Sequence, residues 1–156
     1  MKVNAIGSAA ILALALGTGA GVDTHQHATG SFEVKMTPVE GGNNGVANGH
    51  LSGAKTFAGD LIGTSKADMW TATTEVEGSA GYVAIEKVEG TLRGRKGTFT
   101  LLHQGTMRRG GDYQIRIVVV PESGTGELAG LSGTMAIRHE QGKIFYDFDY
   151  SLPPAK

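Results

Sequence analysis

Apolar and polar residues alternate with a period of two along most of this chain, and glycine interrupts the alternation every few residues. Phe32-Glu33-Val34-Lys35-Met36 and Tyr146-Asp147-Phe148-Asp149-Tyr150 each put apolar side chains on one face and charges on the other. That is the pattern of a half-buried strand. The 25 glycines against 4 prolines supply turns and bulges, and no stretch beyond the N-terminal segment keeps a helical period. The spacing predicts about eight short strands at intervals of roughly ten residues. The fold class is therefore all-β, and a closed or nearly closed antiparallel eight-stranded barrel is preferred to an open sandwich. Closure removes exposed strand edges, and glycine kinks let a sheet curl.

At 156 residues with 40% hydrophobic content, the chain has material for one core. Met1-Lys2 followed by the Ala/Leu/Ile-rich run to Leu16, with small residues at Thr18-Gly19-Ala20, has the form of a secretory leader. Residues 1–28 are therefore read as a signal peptide and short flexible arm, and 29–156 as the barrel domain. A secreted or periplasmic location follows, with a cytoplasmic chain as the alternative. The apolar run is too short and too glycine-interrupted for stable membrane insertion. A net charge of −1 from 14 basic and 15 acidic residues provides no footprint for nucleic acid. Cysteine is absent, which excludes disulfides and thiolate chemistry. No metal or other cofactor is expected, because His25 and His27 lie in the arm and His50, His103 and His139 are scattered.

Ionisable residues in the wall of a small barrel are the candidates for chemistry. Around the turn Gly94–Gly97, pairing of the flanking strands would set Val88 opposite His103 and leave Glu86 one diagonal away. If Tyr82 and Glu86 face inward with His103, the three are candidate catalytic residues. Glu86 or His103 would move a proton and Tyr82 would orient an oxygen. Phe99, Leu101, Trp70, Met69 and Tyr150 are the candidate ligand-binding residues that would exclude water around a small apolar molecule. Asp60, Glu127, Asp147 and Asp149 are placed outward. The run Ser123–Gly130 lacks the lysine and following helix of a phosphate loop and is read as a bent strand over Gly126–Leu131.

The phrases Gly59-Asp60-Leu61-Ile62-Gly63-Thr64-Ser65, Gly81-Tyr82-Val83-Ala84, Gly90–Phe99, His103-Gln104-Gly105-Thr106-Met107 and Ser123–Leu131 occur in an order that resembles the bacterial DUF3224 family. The resemblance covers about Thr29 to Leu152. It implies a small barrel of the allene oxide cyclase-like type, similar also to dirigent proteins, but brings no established catalytic residues. Two functions are open on this reading. One is a cofactor-free cyclase, isomerase or lyase acting by acid–base chemistry, and the other is a non-catalytic, dirigent-like binding barrel. Similar barrels associate, so a homo-oligomer is the assembly the resemblance implies.

Overall fold

A computed structural model describes residues 24–154 as an all-β barrel. Its strands are β1 (Thr24–Pro38), β2 (Gly49–Gly59), β3 (Leu61–Thr73), β4 (Ala80–Leu92), β5 (Arg95–Arg108), β6 (Asp112–Val119), β7 (Ser132–Glu140) and β8 (Lys143–Leu152). Each pairs antiparallel with the next, and β8 returns to β1, so the sheet closes on itself. The leader expected at the N-terminus lies outside the described residues, among which no helix is long and apolar enough to cross a membrane.

Short turns set the registers. Arg93 and Gly94 both have positive φ, as do Gln141 and Gly142, giving two-residue hairpins whose twist suits the flanking strands. Because β4 and β5 run tight to Leu92 and Arg95, Ala84 faces His103 and Glu86 faces Leu101. This corrects the expected pairing of Val88 with His103, which assumed a longer turn at Gly94–Gly97. Three further expectations change. Thr24–Ala28, expected as a flexible arm, pair with Phe148–Leu152 in β1, with Ala28 fully buried. The single strand expected over Lys55–Thr64 breaks at Asp60 into β2 and β3, where Gly59 takes a φ of 106°. Gly126–Leu128 forms one 3-10 turn instead of a strand, and Leu128 is driven into the core.

Inward residues fill the lower barrel with an apolar core. It includes Phe32, Phe57, Leu61, Leu92, Phe99, Tyr146, Phe148 and Tyr150, with Leu128 and Leu131 from the β6–β7 connection closing the bottom. Phe148 stacks between Phe99 and Tyr150 at ring separations of 5.9 and 5.2 Å. Tyr146 of β8 reaches beneath β1 to the opposite corner, where its hydroxyl accepts a hydrogen bond from the Leu61 amide at 2.8 Å. Gly30 makes this possible, since a Cβ there would collide with the Tyr146 hydroxyl and the Ala58 carbonyl.

Pairing is thinnest between β6 and β7. Only Ile117–Met135 and Val118–Thr134 are bridged, so Asp112–Arg116 is joined to β5 alone.

Replacing Tyr146 with phenylalanine leaves the Leu61 amide buried without an acceptor. Tyr146→Phe is expected to lose about 1–3 kcal/mol of stability, read from the urea denaturation midpoint at unchanged slope.

Candidate functional site

Parity along β2 to β5 brings four polar side chains into the barrel. Lys55, Ser65, Glu86 and His103 all share the phase of core residues on their strands. Glu86 belongs to a cross-strand row with Gly53, Ala67 and Leu101. The two small residues leave the space that its side chain occupies. Lys55 and Ser65 lie in the next row down and His103 in the next row up.

Glu86 is completely buried, and an ionised carboxylate there requires donors. The Ser65 hydroxyl donates to Oε1 at 2.5 Å, and Lys55 Nζ donates to Oε2 at 2.7 Å. The same ammonium lies 4.6 Å from the centre of the Phe32 ring, a cation–π contact that holds it while little water reaches it. His103 Nε2 also approaches Oε2 to 2.7 Å. Its N–H direction misses the oxygen, so Nε2 remains without an aligned hydrogen bond. Even so, the approach is close enough for His103 to act electrostatically on the carboxylate. Burial alone would raise the Glu86 carboxyl, but His103, Lys55 and Ser65 together outweigh it and hold the carboxyl down at about 2. A carboxyl so acidic stays ionised near neutral pH and is a weak proton acceptor.

Tyr82 is not part of this cluster. It lies one row above His103, across Gly105, where any Cβ would overlap its ring. Burial pushes its hydroxyl up, and among the described residues it forms no hydrogen bond to Glu86 or His103.

A cavity of about 910 Å³ lies beside the mouth ends of β3 to β6. Three adjacent rows form its wall: Trp70-Val83-Gln104-Arg116, Thr71-Tyr82-Gly105-Ile115 and Ala72-Gly81-Thr106-Gln114. Asn44, Val46 and Ala47 of the β1–β2 loop complete it. Residues from both faces of the sheet contribute, so the cavity lies at the rim and not deep in the lumen. Trp70 is fixed there by stacking on His50 at 4.0 Å, and His50 Nε2 is in turn 2.8 Å from Asp68.

The structure therefore joins Glu86 with His103 and separates Tyr82 from both. Of the residues expected to bind a ligand, Trp70 lines the cavity, whereas Phe99, Leu101 and Tyr150 are core packing. Met69 faces inward in the His103 row but does not line the opening. Lys55 and Ser65 were missed, although their parity with Phe57 and Gly63 was available in the sequence. Among the described residues, no group of three or more His, Asp or Glu could hold a metal ion.

Comparison with protein families finds that "Protein of unknown function (DUF3224)" matches residues 28–150. The chain belongs to the DUF3224 family. It is similar to a DUF3224 protein of unknown function from Shewanella oneidensis MR-1, whose crystal structure superposes with a TM-score of 0.76 at 47% sequence identity. That match covers 85% of this chain and 100% of the other. No curated protein matches.

The Glu86 carboxyl of this DUF3224 barrel is lowered from 4.5 to about 2 on folding, so its stabilisation is complete above the unfolded value and is lost as pH falls through the folded one. The wild type is expected to lose a few kcal/mol between those limits. Glu86→Gln removes this acid limb and, by stranding the Lys55 ammonium, costs about 3–5 kcal/mol near neutral pH. Urea denaturation at about pH 7 and about pH 3 measures both effects. An unchanged acid limb in the variant rules out Glu86 as its source.

Proposed function

We propose that this DUF3224 protein is a small-molecule-binding barrel that holds a mainly apolar ligand in the rim cavity without acid–base turnover. The observation that carries this reading is spatial. The opening is lined by Trp70, Val83, Ile115, Ala72 and Gly81 with a few polar groups, whereas Glu86 and His103 do not line it. Concave, largely apolar walls with sparse polar groups are what small ligands occupy. The ionised cluster below has the character of a satisfied structural unit, because Glu86 is already held by Lys55 and Ser65. Arg116, Gln104 and Asn44 supply polar groups able to orient a ligand.

Trp70 is the only tryptophan in the chain, so its emission reports directly on the cavity. A naphthalene-based apolar probe is expected to change that emission saturably. Ala72→Phe, which fills the wall beside Trp70, should weaken binding by about tenfold or more. His103→Gln should leave the affinity within about twofold, since His103 does not line the cavity. Loss of probe binding in His103→Gln but not in Ala72→Phe, with both variants folded, would move the site into the barrel interior and defeat the proposal.

A further inference from the structure

The run Asp112-Tyr113-Gln114-Ile115-Arg116 uses one edge to pair with β5, while its other edge bridges nothing among the described residues. Such an edge presents free amide and carbonyl groups to any strand that can approach, and single-chain proteins blunt it with lysine, proline or a covering segment. This stretch contains neither lysine nor proline. Two large apolar side chains on it are exposed as well, Tyr113 at 60% and Ile115 at 37%. Among the described residues, neither Asp112 nor Arg116 forms an ion pair, although Arg108 stands opposite Asp112 on β5.

We propose that two copies of this chain join through β6, edge to edge, as a two-fold symmetric dimer with one sheet continuous across the interface. The occupant follows from the order of the five residues, which is complementary to its own reverse. In an antiparallel pair centred on Gln114, Asp112 faces Arg116 of the second copy, Tyr113 faces Ile115, Gln114 faces Gln114, and the same contacts recur across the axis. Directly opposed residues share a sheet face. Tyr113 and Ile115 therefore meet on the inner side, and the charges and amides meet on the outer side. A shift of one residue sets Gln114 against Ile115 and destroys the charge match, so one register is selected. This is an isologous contact, in which the same patch serves both copies and the assembly stops at two. Gln114, Ile115 and Arg116 also border the rim cavity, so the cavities of the two copies come to lie side by side across the axis.

Sedimentation velocity of the purified chain tests the pairing by charge reversal. The wild type is expected to sediment at about twice the monomer mass of 16.2 kDa. Asp112→Arg places like charges opposite one another, as does Arg116→Asp. Each is expected to raise the dimer dissociation constant by roughly 100-fold or more. Mixing the two variants in equal amounts restores the dimer, because one copy then carries two cations at the edge and the other two anions. The doubly reversed chain, carrying both substitutions, restores it too, with circular dichroism confirming that every variant is folded. A monomeric wild type overturns the proposal. So does a dimer indifferent to both single reversals, or single-variant monomers that neither mixing nor the double reversal rescues.

Discussion

Closure of the sheet at the β1–β8 seam is the constraint on which the interior depends. β1 has strands on both sides, pairing Gly30–Pro38 with β2 and Thr24–Phe32 with β8. The glycine at position 30 lets it bend over the Tyr146 hydroxyl, and that hydroxyl ties β8 to the start of β3 through the Leu61 amide. From this corner the order of packing runs inward. The bend sets Phe32 against Phe57 at a ring separation of 5.4 Å, and the Phe32 ring steadies the Lys55 ammonium. The ammonium in turn neutralises Glu86, beside which His103 lies. An error at the seam would therefore reach a carboxylate on β4, three strands from β1.

The interior is divided by depth. Aromatic and aliphatic side chains fill the bottom, the charged cluster forms a middle layer, and the cavity opens at the rim. A buried ion pair seldom adds much to stability over an apolar replacement, since desolvation offsets most of the attraction. What this one secures is geometry. With Gly53 and Ala67 beside Glu86, the contacts of its carboxylate with Lys55, Ser65 and His103 tie β2, β3, β4 and β5 to one relative placement. That rigidity supports the wall of the rim cavity one or two rows above.

Much of this was legible in the sequence where alternation is clean. The stripe Tyr146-Phe148-Tyr150 and the inward Phe99-Leu101-His103 set needed only a period of two, and both are buried. Register was less accessible, because it depends on turn geometry. Arg93 takes a φ of 45°, unusual for a side chain of its size, and nothing in Leu-Arg-Gly-Arg states that the turn spans two residues. Gly126–Leu128 was misread because flanking glycines suit a bulged strand and a single 3-10 turn alike. The rim cavity was the hardest part to foresee. It combines residues from both faces of four strands with a loop, and periodicity assigns each residue to only one face.

Every strand pairs with its neighbour in the chain except at the seam, where hydrogen-bonded groups such as His27 and Asp149 are 122 residues apart. Hairpins can form as soon as both of their strands exist, whereas contacts so distant must wait until all eight strands have been made. Without the β1–β8 pairing the sheet is an unclosed ribbon with its aromatic face uncovered. The eighth strand, Lys143–Leu152, is made after the other seven and supplies Tyr146, Phe148 and Tyr150 together, and its pairing with β1 turns the ribbon into a barrel.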